Sequence, residues 1–89
     1  MFTKFWNYGN YSSNNYGLHS MAFCDAYGNK YYYSYETLVA FFHAKSREFH
    51  IIENYWGTTT GKHLNWINDD KSIREDEETF TNNYKRLFN

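Results

Sequence analysis

Tyr31-Tyr32-Tyr33-Ser34-Tyr35-Glu36-Thr37-Leu38-Val39-Ala40-Phe41-Phe42 is the stretch on which the fold turns. With a period of two it places Tyr31, Tyr33, Tyr35, Thr37, Val39 and Phe41 on one face and Tyr32, Ser34, Glu36, Leu38, Ala40 and Phe42 on the other. With a helical period, Ser34 caps Tyr35–Lys45 and Leu38, Phe41, Phe42 and Lys45 share a side. Tyrosines followed by branched residues fit a pleated, half-buried surface, which favours strand. The polar run His43–Glu48 then serves as a turn, and Phe49–Glu53 as the return strand. Upstream, Leu18–Cys24 reads as a strand, and Asp25–Lys30 contains Gly28-Asn29, a pair that tolerates positive φ and suits a two-residue hairpin. The expectation is an α+β domain built on a small three-stranded antiparallel meander.

Two helices complete it. Glu53–Ile67 joins a strand-like run to a helix-like one through the glycine-bracketed triplet Thr58-Thr59-Thr60. Gly57, Gly61 and Lys62 imitate a phosphate-binding loop, but only three residues separate the glycines, and His63 stands where Ser or Thr must ligate magnesium. The triplet reads instead as a helix start near Thr59–Asn68, capped by Thr58 or Thr59, with a weak anion site at Thr59, Thr60, Lys62 and His63. Gly61, unfavourable by about 1 kcal/mol inside a helix, marks a close approach or a tolerated irregularity. At the C-terminus, Ser72-Ile73-Arg74-Glu75 has the form of a capping box. Ile73, Phe80, Tyr84 and Leu87 recur near helical period, so an amphipathic helix is expected over Ser72–Phe88. Both helices are expected on one face of the sheet, leaving the tyrosine face open.

The chain has 89 residues, enough for one domain that buries about 60–65% of its unfolded surface. Within it, residues 1–16 form an Asn- and Tyr-rich arm, expected as loop with room for a short strand at Phe2–Trp6; 17–68 carry sheet and first helix, and 69–89 the second. Asn-Tyr-Gly occurs twice, at Asn7–Gly9 and Asn15–Gly17. Aromatic residues make up 24% of the chain, more than a small core encloses, so many tyrosines must reach the surface, where they serve binding. The single cysteine, Cys24, excludes an internal disulfide and a multi-cysteine metal cluster. No apolar run is long enough to span a membrane and no signal peptide is recognisable, so a cytoplasmic location is expected.

Net charge is −1, but Asp69–Glu78 holds six acids and two bases against four acids and five bases in the preceding 68 residues. An acidic helix start ordinarily compensates the dipole. Its functional counterpart is a surface of Asp69, Asp70, Glu75, Asp76, Glu77 and Glu78 offered to a basic groove. Duplex DNA is disfavoured, because no basic cluster exists to release counterions. His19, His43, His50 and His63 show no ligand spacing, and neither a Ser-His-Asp arrangement nor paired carboxylates stand out, so no catalytic residue, metal or cofactor is expected.

Tyr33–Phe41 together with Asn54–Asn65 resembles a family of short phage and archaeal-virus proteins carrying an S-Y-x-T-x-V-A-F strand followed by W-x-x-T-T-x-K-H-L-N. The resemblance covers roughly residues 16–68 and implies a viral or mobile-element origin. Small viral proteins of this kind occupy host protein surfaces, sometimes those of defence nucleases. The expected function is therefore a non-enzymatic inhibitor or adaptor of a host nucleic-acid-processing protein, with an anti-CRISPR role as its concrete form. The alternative is a single-strand nucleic-acid module stacking bases on Tyr31, Tyr33 and Tyr35.

Overall fold

A computed structural model describes residues 2–9 and 19–88. The arm's second Asn-Tyr-Gly copy, at 15–17, and the start of the strand expected from position 18 lie outside the described residues. The fold is α+β, but among the described residues its sheet has six strands where three were expected: β1 Phe2–Asn7, β2 Met21–Asp25, β3 Lys30–Ser34, β4 Thr37–His43, β5 Glu48–Ile52 and β6 Arg74–Glu75, in that spatial order. The first five form an antiparallel meander, and β6 adds in parallel to β5.

Tyr31–Phe42 is strand, though not one strand. Ser34 pairs with Thr37, so the chain reverses at Tyr35-Glu36, with Tyr35 at φ 56°. Tyr35 is an unusual residue for that conformation; its N–H donates to the His19 carbonyl (2.8 Å) and its ring stacks on His19 at 4.3 Å, which hold it there. Past the turn, Tyr33 faces Leu38 while Tyr32 faces Ala40, so Val39 bulges and the alternation changes phase. The expected Gly28-Asn29 turn is instead a longer loop: Asp25 N–H donates to the Asn29 carbonyl, and Gly28 alone takes positive φ, 86°. The turn at His43–Glu48 and the return strand are as expected, with Arg47 at φ 59° closing the loop.

The short strand for which the arm had room at Phe2–Trp6 is the edge strand β1, and positions 10–16 of the arm lie outside the described residues. Its first Asn-Tyr-Gly copy has a packing reason. The Asn7 side-chain oxygen accepts from Gly9 N–H (2.8 Å) and from the Ser20 hydroxyl (2.6 Å), and Tyr8 donates its phenol proton to the Tyr33 carbonyl (2.8 Å). A Cβ at Gly9 would collide with the buried Ser20 side chain, so any larger residue there requires Ser20 to shift.

Two helices among the described residues, α1 (Thr58–Ile67) and α2 (Glu77–Phe88), lie on opposite faces, not together on one. α2 lays Phe80, Tyr84 and Phe88 on Phe41, and Phe88 also on Tyr31. α1 brings Thr60 and His63 to Ser34, on the side where Tyr8 and Trp6 pack against Tyr32. Val39, Ala40, Phe41, Ile51, Ile52, Leu64 and Phe80 form the common core.

Both helix starts differ from expectation. Neither Thr58 nor Thr59 caps α1: Gly57 occupies the cap, with no side-chain cap hydrogen bond. Asn54 sets that boundary, accepting from Trp56 N–H and donating to the Gly57 carbonyl, and its amide nitrogen is the atom nearest a Cβ built on Gly61, at 3.1 Å. The apparent capping box at Ser72–Glu75 is divided between a 3-10 turn, Lys71–Ile73, and strand β6. Glu53 N–H donates to the Glu75 carbonyl at 2.8 Å, drawing that segment onto the sheet, and Asp76 takes over as cap by accepting from Thr79 N–H at 2.8 Å.

Candidate protein-binding groove

Where β5 ends, the chain turns outward and presents Tyr55 and Trp56, 50% and 49% exposed, with their rings edge to face at 6.0 Å. Tyr55 is fixed by its phenol oxygen, which accepts from Glu77 N–H at 3.0 Å and thereby ties the aromatic pair to the start of α2. Between them lies a trough of about 480 Å³, floored by Leu38, Ile52, Phe80 and Tyr84 and edged by Thr37, Tyr55, Trp56, Glu77 and Thr81. That volume falls in the range of about 300–1,000 Å³ usual for binding pockets. Tyr55, Glu77 and Thr81 also line a second basin, again about 480 Å³, together with Asp76, Glu78 and Asn82. Apolar floor, aromatic wall and acidic basin thus adjoin along one stretch of surface, taken together as the groove.

α2 is held in place by polar ties behind this groove. The His50 ring lies between two carboxylates, with Nδ1 2.6 Å from Glu75 and Nε2 3.0 Å from Glu48. Asn83 donates to Glu75 (3.2 Å) and Arg86 to Glu48 (2.8 Å), so both ends of the chain of contacts reach α2. The Arg86 hydrogen bond, followed by that from His50, lowers Glu48 to about 2. A second, buried cluster borders a smaller cavity that Trp56 also lines: Ser34 Oγ is 2.6 Å from His63 Nδ1 and 3.0 Å from Thr60 Oγ1, all three residues buried. Burial, then electrostatic repulsion between the His63 and His19 rings, lowers the His63 pKa from the ordinary histidine value, so the ring is neutral near pH 7.

The residues singled out from sequence are only partly assembled. Asp76, Glu77 and Glu78 meet in the acidic basin. Glu75 turns to His50 and Asn83, while Asp70 is engaged by the Ser72 N–H (3.0 Å) and hydroxyl (2.6 Å); Asp69 is exposed outside both cavities. Of the tyrosines, Tyr31 is half-buried under Phe88 and donates to Asp25 (2.9 Å), Tyr33 packs edge-on to Phe23, and Tyr35 sits in the turn. They form no common stacking face. Burial raises the phenol pKa of both Tyr31 and Tyr33. The proposed anion residues also separate: Thr60 and His63 point inward to Ser34, Thr59 is half-buried and Lys62 exposed. Tyr55 and Trp56, the centre of the groove, were missed. Their signal was present in sequence as a Tyr-Trp pair placed immediately after a strand and before a glycine, where no core position is available.

No helix among the described residues is long and apolar enough to cross a membrane. Comparison with curated proteins and with solved structures gives no match. A family model does match, over residues 4–83, from β1 into α2, and so takes in every groove residue but Tyr84. The chain belongs to that family, a family of unknown function designated DUF8033.

Proposed function

We propose that this chain is a non-enzymatic binding protein, virus-encoded, that holds a host nucleic-acid-processing protein through the Tyr55–Trp56 groove; inhibition of a CRISPR effector is its most concrete form. The observation that carries the reading is an apolar trough walled by exposed aromatics and ending in carboxylates. Exposed Tyr and Trp supply rigid contact area at low entropic cost, and acidic surface suits a partner whose own nucleic-acid site is basic. The test is capture from host lysate with three baits: the wild type, Trp56→Ala, and Glu77→Lys with Glu78→Lys. A nucleic-acid-processing protein retained by the wild type should be lost from both variants, with the charge reversal weakening binding most at low salt. Equal retention by folded variants would remove the groove from the interaction.

A second reading rests on a different surface. Phe5 and Phe2, 72% and 53% exposed, stand with Phe23 and Tyr33 on the part of the sheet that α2 leaves uncovered. Such a row suits stacking of unpaired bases, each ring contributing about 1–3 kcal/mol. Titration of a labelled, unstructured oligonucleotide at low salt should then show binding that Phe5→Ala weakens. Absence of any binding would leave the protein partner alone.

A further inference from the structure

We propose that the groove is built for one basic side chain, a guanidinium or ammonium group, carried on an otherwise apolar stretch of the partner; the inference rests on the groove being the binding site. Three observations converge on it. The floor is apolar over the length of the trough, as the aliphatic stem of an arginine or lysine requires. Tyr55 lines both the trough and the basin and Trp56 lines the trough, and aromatic ring faces attract a cation. The basin holds Asp76, Glu77 and Glu78, and among the described residues neither cavity is lined by a lysine or arginine.

The charges available for such a ligand can be weighed. The N-terminus of α2 contributes about half a positive charge, and Asp76 already serves as its cap. Among the described residues no hydrogen bond or ion pair occupies the Glu77 and Glu78 carboxylates, so the basin stays negative and free to pair. A neutral apolar side chain would fill the trough and leave those carboxylates without a partner. An acidic one would be repelled.

A short fluorescent peptide with a single arginine between leucines, capped at both ends, is the direct probe, measured by polarisation against its lysine and citrulline counterparts. Citrulline keeps the shape of arginine and removes its charge. The arginine and lysine peptides should bind, the citrulline peptide about tenfold more weakly, and Glu77→Gln with Glu78→Gln should abolish that difference. Trp56→Ala, with an unchanged melting curve, should weaken both charged peptides. Citrulline binding as well as arginine, or no binding of any of the three, would overturn the inference. The two claims fail separately: a host protein whose capture depends on Trp56 but whose binding ignores Glu77→Gln with Glu78→Gln would sustain the groove and refute its basic ligand.

Discussion

Phe41→Ala should cost about 3–5 kcal/mol and lower the melting temperature by roughly 12–40 °C. Phe41 is fully buried at the centre of β4, and its ring meets Phe80, Tyr84 and Phe88 of α2 at 5.3–5.4 Å between centroids. Truncation removes the surface on which α2 rests and opens a cavity that three rings held by one helix cannot all collapse into. A small domain has only about 5–15 kcal/mol of stability, so a large part of it goes at once. Phe5→Ala makes the control, because Phe5 is mostly exposed and its loss should be nearly neutral for folding. Thermal melts of the two variants decide the matter. Equal melting temperatures would mean that α2 does not dock on Phe41.

Ser34→Ala should destabilise by about 1–3 kcal/mol despite the small change in volume, because it strips the buried His63 nitrogen and Thr60 hydroxyl of a shared partner. The same cluster sets a pH dependence whose sign follows from the lowered His63 pKa. The unfolded chain takes up a proton as pH falls below the ordinary 6.5, while the folded chain resists it until its own lower pKa. This contribution is therefore fully present above about 6.5 and is lost between that value and the folded one. The lowered carboxylates act in a separate window: Glu48, ordinarily 4.5 and here about 2, gives stability that is lost as pH falls from about 4.5 towards 2. Denaturant midpoints measured from pH 7.5 to 5 should fall in the wild type and flatten in His63→Gln. A flat wild-type profile over that range would contradict a buried, neutral His63.

Patterns that local chemistry determines were legible in sequence. β5, the polar turn before it and α1 follow from runs of apolar residues broken by polar ones, and the structure keeps them within a residue or two. Tertiary contacts decided the rest. No turn signal marks Tyr35-Glu36, because the reversal is held by His19 from another segment and by Ser34 anchored to α1. β6 has two residues and exists only by pairing with β5, which is also why a well-formed capping-box sequence yields no cap. The open tyrosine face was lost to the bulge at Val39 and to helices on both sides. The acidic end of the groove was visible as a cluster of residues in the chain. Its trough was not, since Leu38, Ile52, Trp56 and Phe80 come together only when the sheet and α2 are in place.

Hydrogen–deuterium exchange, recorded for the free chain and for its complex with the captured host protein, tests the binding groove most directly. Protection should concentrate in 52–56 and 76–84, the segments that line the trough and basin, while β1 and β2 exchange as in the free protein. Protection confined to β1 and β2, with 52–56 and 76–84 unchanged, would place the partner on the opposite end of the sheet and contradict the groove as the site of function.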